Sequence, residues 1–169
     1  MSLLEYCSNC ATKNIYGFID GQNRYHCKSC GVIHYENPKP TATIICIKET
    51  KILLAKRAFE PGKGEWGLPG GFMELNETLA EAASRELKEE TNLDGSVTEL
   101  LSTCSHYGTI FGDILLICVK MEALDFSIMK AGDDAEEVDF FDLNNLPNIA
   151  FYCHNKFIDD FRSSQKKIT

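Results

Sequence analysis

Residues 71–93, GFMELNETLAEAASRELKEETNL, constrain this chain more than any other stretch. A Gly-Gly turn leads into a segment in which Leu79, Ala82, Ala83 and Leu87 recur at helical spacing, so the helix is expected to anchor one face in a core. At about 100° per residue, Glu89 and Glu90 fall within roughly 60° and 40° of Glu86 around the axis. Three carboxylates on one face repel one another and destabilise a bare helix. A divalent cation compensates, because Mg²⁺ and Mn²⁺ prefer hard carboxylate oxygens and also engage phosphates. Arg85 follows Glu81 and precedes Glu89 by four residues each, so it is expected to steady the acidic face. Asn76 is the expected N-cap, and Asn92, tolerant of left-handed backbone, the expected helix end. A solvated Glu-rich helix is the competing account of any charge run. The preceding Gly70-Gly71 turn and the tight grouping of acids weigh against it.

The chain has 169 residues, of which 44% are hydrophobic, enough for one ordinary domain and a small extra module. No apolar run approaches the roughly 20 residues that span a bilayer. The short, acidic N-terminal stretch does not read as a secretory leader. The net charge of −8 argues against a protein that grips nucleic acid through its phosphates. An acidic enzyme acting on phosphate esters instead needs metal ions to offset that repulsion.

The eight cysteines divide into two groups. Cys7, Cys10, Cys27 and Cys30 form two C-x-x-C pairs separated by sixteen residues, the spacing of a four-thiolate zinc ribbon, expected over residues 1–36. Cys46, Cys104, Cys118 and Cys153 lie singly in apolar segments and read as small buried hydrophobes. A reducing, cytoplasmic compartment follows. A redox reading of the pairs is poor, because neither pair opens a helix after a strand. Ile15, Tyr16, Phe18 and Tyr25 predict two short strands turning at Asp20-Gly21, and Gly31 permits a knuckle turn whose N–H groups point at thiolates. Zn²⁺ supplies the stability that some thirty residues cannot bury for themselves. The ribbon carries few basic residues (Lys13, Arg24 and Lys28), so nucleic acid is not the expected partner. His26 and His34 receive no role.

Residues 37–40 read as a linker, opening a second domain expected over residues 37–169. Residues 41–47 and 51–57 predict strands joined by a polar turn, and residues 58–65 a loop leading to Trp66, read as packing. An antiparallel hairpin is expected over 97–107 and 113–121, an irregular acidic connection over 123–134, a strand over 137–143 and an amphipathic helix over 150–163. Lys166 and Lys167 read as solvated tail. Strands on both sides of a central helix, with a second helix last, give an α/β fold: an α/β/α sandwich around a mixed sheet.

The acidic segment resembles the Nudix box, G-x5-E-x7-R-E-U-x-E-E-x-G-U, where U is bulky and apolar. Gly71, Glu77, Arg85, Glu86, Leu87, Glu89, Glu90 and Leu93 match at every spacing, and Asn92 stands at the late Gly. The resemblance implies the Nudix sandwich, hydrolysis of a nucleoside diphosphate linked to another moiety, and Mg²⁺ or Mn²⁺ held by Glu86, Glu89, Glu90 and the Gly70 carbonyl. Glu77 and Arg85 are then supports. Glu89, Glu90 or an acid just before the late strand, Glu136 or Glu137, is the implied base. Arg57 is a candidate for substrate phosphate, and Phe72, Tyr107 and Phe111 for stacking on a ring, against the blander reading of core packing.

The ribbon-plus-box order is similar to enzymes that split NADH, FAD or ADP-ribose. The S-Q-P-W-P-F-P-x-S stretch of the NADH pyrophosphatases is absent after the box, where the chain reads DGSVTELLSTCSHYGTIFGD. NP-K, G-x-W-x-LP-x-G and the LP-to-AF passage resemble the FAD and ADP-ribose group, so those small nucleotides are the expected substrates. NADH or NAD-capped RNA is the alternative, as is a non-catalytic nucleotide-binding domain carrying a nucleic-acid-binding ribbon. Homodimers are common among such enzymes.

Overall fold

A computed structural model of the chain describes residues 4–132 and 134–165; Lys166 and Lys167 lie outside the described residues. Two compact units are present, one ending at Asn37 and the other beginning at Pro38. In the first, β1 (Ile15–Ile19) and β2 (Gln22–His26) form the expected hairpin, with Ile15 opposite His26. Asp20 and Gly21 both take positive φ, 49° and 81°, as a tight hairpin turn requires. A two-residue strand, β3 (Ile33–His34), adds to β2 and was not expected. Among the described residues of this unit only Cys7, Asn14 and Cys27 are buried.

The second unit is built on β4 (Lys39–Lys48), β5 (Lys51–Arg57), β6 (Trp66–Gly67), β7 (Gly70–Phe72), α1 (Leu79–Thr91), β8 (Gly95–Thr109), β9 (Gly112–Ala123), β10 (Ala135–Asp142) and α2 (Tyr152–Gln165), with a 3₁₀ turn at Phe126–Ile128. The sheet runs β10-β5-β4-β9-β8, with β6 on β5 and β7 on β4. β4 pairs parallel to β9 and antiparallel to β5 and β7, so the sheet is mixed.

β4 is central: residues 41–46, small or apolar apart from the two threonine hydroxyls, are buried on both faces. Ala42, Ile44 and Cys46 pack with Ala82, Ala83 and Leu87 of α1, whereas Ile45 joins Ile52, Leu54 and α2's Phe157, Ile158 and Phe161. Each large side chain so buried contributes about 1.5–3 kcal/mol. Two helical layers therefore sandwich the sheet, as the pattern predicts. Cys46, Cys118 and Cys153 are buried as expected, whereas Cys104 is only half-buried; Trp66 packs edge-on against Phe141 at 4.6 Å.

Three local expectations are corrected. Lys39 and Pro40 are not linker but the start of β4, opposite Ile114 and Leu115 of β9. The helix cap is Thr78, not Asn76: Thr78 Oγ1 accepts from Glu81 N and the Glu81 carboxylate accepts from Thr78 N, a capping box that the T-x-x-E pattern spells out. Asn76 sits two residues earlier at φ 67°. α2 begins at Tyr152 rather than Ala150, because Ala150 N donates to Trp66 O in a β-bridge and is lost to the helix. Asn92 ends α1 at φ 59°, as expected.

Candidate active site

The site grows from the strand pair at residues 66–72. Ile44 N donates to Pro69 O at 2.8 Å and β7 zips onto β4, so Gly70 and Gly71 lie flat on the central strand. Gly70 has φ 143°, and any side chain there would run into the Ala42 carbonyl. A Cβ on Gly71 would lie 2.5 and 2.6 Å from the two carboxylate oxygens of Glu86. The glycines are thus what admits the acids of α1 to the strand. Gly71→Ala should keep its Tm within a few degrees, because the Glu86 side chain gives way, yet raise the metal concentration for half-activity at least ~10-fold. Gly70→Ala meets backbone and should cost ~3 kcal/mol or more. Thermal melts beside a metal titration separate the two.

Glu86 is buried, Glu90 half-buried and Glu89 exposed. Burial, joined by the charges of Glu86 and Asp134, pushes the Glu90 carboxyl up to about 8 against the opposing Gly70 N–H and Arg57. Burial likewise raises Glu86, although Arg85 opposes it. Glu90 Oε2 receives only a 3.4 Å bond from Gly70 N. Glu90, desolvated with so little protein compensation, together with Glu86 and Glu89 makes a hard-oxygen donor set that fits a small divalent cation.

Arg85 fixes these acids. Its Nε and Nη2 donate to Glu77 at 3.1 and 2.8 Å, Nη2 also to Phe72 O at 3.0 Å, and Nη1 to Glu86 and Glu89 at 2.7 and 3.0 Å. The expected Glu81–Arg85 pair does not form, because the cap consumes Glu81. Glu77, ahead of the helix rather than on it, takes that place; the Arg85 guanidinium, then the Glu74 N–H, hold its carboxyl below the usual range.

The acids open onto a cleft of about 780 Å³ that is also lined by Arg57, Phe72, Phe111 and His154. Phe72 and Phe111 meet edge-on at 5.4 Å, the latter carried on the β8–β9 hairpin tip. Arg57 donates to Pro61 O at 2.6 Å and lies over the Phe151 ring. Tyr107 is 71% exposed and, like Glu136 and Glu137, does not line the cleft. Glu136 and Glu137 pair instead with Lys56 at 4.0 and 3.7 Å, since β10 runs beside β5. The acid reaching the cleft from that approach is Asp134. Sequence reasoning missed it within the acidic run DDAEE, and missed His154, which nothing local distinguishes.

In the first unit, the Sγ atoms of Cys7, Cys10, Cys27 and Cys30 all lie within 4.8 Å of one another, with Cys7–Cys30 at 3.6 and Cys10–Cys27 at 3.4 Å. Tetrahedral zinc with bonds of about 2.3 Å sets sulfurs ~3.8 Å apart, so the four thiolates fit it. The Thr12 hydroxyl and N–H bring Cys10 down to about 6, and the Val32 N–H lowers Cys30, both favouring thiolate. Gly31 N donates to Cys27 O at 2.9 Å, closing the second knuckle.

An acidic helix braced by one arginine against a glycine strap, at the head of a cleft with aromatic walls, suits a nucleotide hydrolase of the divalent-metal class. The "NUDIX domain" family matches residues 37–161 and the "Nudix N-terminal" zinc-ribbon family residues 5–36. The chain belongs to the Nudix hydrolase family. It is 44% identical over 128 residues, 75% of each chain, to a Methanocaldococcus jannaschii protein named ADP-ribose pyrophosphatase. It is 24% identical over 150 residues to a Vibrio atlanticus protein named NAD-capped RNA hydrolase NudC, matching 87% of this chain but only 52% of that one. A Nitrosomonas europaea NUDIX hydrolase structure superposes with a TM-score of 0.81 at 35% identity, covering 91% of this chain and 88% of its own. No helix among the described residues is long and apolar enough to cross a membrane.

Proposed function

We propose that this chain hydrolyses the diphosphate of an ADP-containing small nucleotide, ADP-ribose or FAD first, releasing AMP and a phosphorylated moiety. The observation that carries this is the cluster of Glu86, Glu89 and Glu90, drawn together around Arg85 on a cleft walled by Phe72 and Phe111. ADP-ribose is supported by the name of the 44%-identical relative, and FAD by the flanking motifs. Glu86, Glu89, Glu90 and the Gly70 carbonyl hold Mg²⁺ or Mn²⁺. When bound, such ions neutralise the diphosphate and lower the pKa of the attacking water.

The chain's own groups do the rest. Arg85 and Glu77 keep the acids in register, and Arg57 offers a guanidinium to the phosphate. Glu89, exposed beside the other two on the cleft lining, is suited to take the proton of water; Glu137, which does not line the cleft, is not carried forward in that role. Phe72 and Phe111 give a ring an apolar wall. The ribbon, over residues 1–36, holds Zn²⁺ as a structural ion with no open position for catalysis, and the Nudix domain occupies residues 37–169. A four-thiolate metal cluster suits a reducing compartment, which supports a cytoplasmic setting.

A second reading, cleavage of NAD-capped RNA or NADH, is favoured by the names of the NudC relatives, of which the chain spans about half the length. A panel of ADP-ribose, FAD, NADH and NAD-capped RNA with Mg²⁺ and with Mn²⁺, beside a Glu89→Gln, Glu90→Gln double variant, decides. AMP release from ADP-ribose or FAD, lost in the variant, is expected. Preferential cleavage of NADH or capped RNA establishes the second reading. Turnover unaffected in the variant overturns the site.

A further inference from the structure

His154 is the one histidine that combines burial, a backbone partner and a place in the cleft wall. It projects from the first turn of α2, across the sheet from the acidic helix. Its Nδ1 accepts from Leu68 N at 3.0 Å, so the ring proton resides on Nε2. That Nε2–H has no acceptor among the described residues, on a ring that lines the cleft. The ring is clamped edge-on by Phe151 at 5.4 Å, and Gly67 leaves just enough room, since a Cβ there would lie 3.1 Å from Nδ1. Burial, and then the positive Arg57, press its pKa down to about 3, so the imidazole stays neutral in all ordinary buffers.

Arg57 connects this ring to the acids. Arg57 and His154 flank one ring: the guanidinium lies over Phe151 at 5.0 Å, Phe151 meets His154 edge-on at 5.4 Å, and both groups line the cleft that holds the acids. A diphosphate that meets Arg57 in this cleft would come beside the His154 ring. A neutral imidazole there resembles the neutral-histidine electrophile of other enzymes: it donates without carrying charge that would compete with the cation.

We infer that His154 is a two-sided positioning residue, whose Nδ1 holds the backbone strap leading to Gly70 while its Nε2–H donates to a phosphoryl oxygen of the bound diphosphate. This deepens the proposed function and rests on it for the nature of the ligand. No proton is transferred; the ring accepts one hydrogen bond and gives another. The strap's Gly67 N-terminal to Leu68 and Gly70 two residues beyond it are thereby tied to the same ring that meets the substrate.

Two variants separate the two sides. In His154→Asn, Oδ1 falls near the position of Nδ1 and keeps the Leu68 acceptor but withdraws the far donor. In His154→Phe, both are lost. With the full-length, zinc-loaded protein, the probes are ADP binding in Mg²⁺ by calorimetry, kcat and KM on the best nucleotide of the panel, and hydrogen exchange at the Leu68 amide. His154→Asn should weaken ADP binding and lower kcat/KM about 10- to 100-fold, the scale of a hydrogen bond to a charged group, with Leu68 still protected and the metal concentration for half-activity within twofold. His154→Phe should add faster Leu68 exchange and at least ~5-fold weaker metal activation.

Unchanged ADP affinity in His154→Asn overturns the donor role, and unchanged Leu68 exchange in His154→Phe overturns the strap role. Because ADP binding is read without turnover, both outcomes stand apart from a failure of the wild-type chain to hydrolyse the proposed nucleotides.

Discussion

Glu90→Gln is expected to lower kcat about 10²- to 10³-fold, the scale of deleting one group that stabilises transition-state charge, while stabilising the Mg²⁺-free protein at pH 8. The two effects share a cause. Burial lifts the Glu90 carboxyl to about 8, whereas a Glu in the unfolded chain ionises near ~4.3. A group whose folded pKa lies above its unfolded value contributes stability that is full below the unfolded pKa and lost as pH rises through the folded one. Between about pH 4.3 and 8, then, the Mg²⁺-free wild type loses up to ~1.4 kcal/mol per pH unit from this carboxyl. Glu86, also raised by burial, acts with the same sign.

Thermal melts of protein dialysed free of Mg²⁺, with the ribbon still loaded, read this directly. The wild-type Tm should fall from pH 5 to pH 8, and Mg²⁺ should restore it most at pH 8, where the acids are ionised and ready to bind. The Glu90→Gln melt should be flatter with pH and almost indifferent to Mg²⁺. A wild-type Tm that rises over that interval contradicts the desolvation on which the metal assignment depends.

Removing zinc is expected to have the largest effect on any part of the fold. The ribbon buries Cys7, Asn14 and Cys27 and no large apolar side chain among its described residues, so it has almost no core to fall back on. Apparent binding energies of structural zinc, about 10–16 kcal/mol near neutral pH, exceed anything that β1–β3 can supply. Cys27→Ser, or a strong zinc chelator, should therefore abolish amide protection throughout residues 15–34 and release about one zinc per chain. Persistent protection of the β1–β2 hairpin without zinc would show that Tyr16 and Tyr25, whose rings lie 4.9 Å apart, suffice to hold it.

Much of this was legible in residue order alone. The apolar face of α1, the buried run of β4, the β8–β9 hairpin and the two cysteine knuckles are local patterns, each written within a few residues by side-chain period or metal spacing. The acid triad is local in the same sense, because three glutamates one helical turn apart must share a face wherever the helix goes. The cap of α1 is local as well, since Thr78 and Glu81 spell T-x-x-E at the start of the helix.

What residue order left open depends on contacts between distant segments. Nothing near Glu77 says that it, rather than Glu81, receives the Arg85 fork; that follows from the loop after β7 folding back on the helix. Nothing in the acidic run before β10 says that Asp134 faces the cleft while Glu136 and Glu137 turn to Lys56; strand register on β5 decides it. His154 and Leu68 are 86 residues apart, and only the packing of α2 under β6 brings ring to amide. The sequence alone determined the chemistry available: hard carboxylates on one helical face and four soft thiolates in a ribbon. Tertiary structure decided which of those groups are desolvated, and desolvation is what makes a buried carboxylate demand a cation.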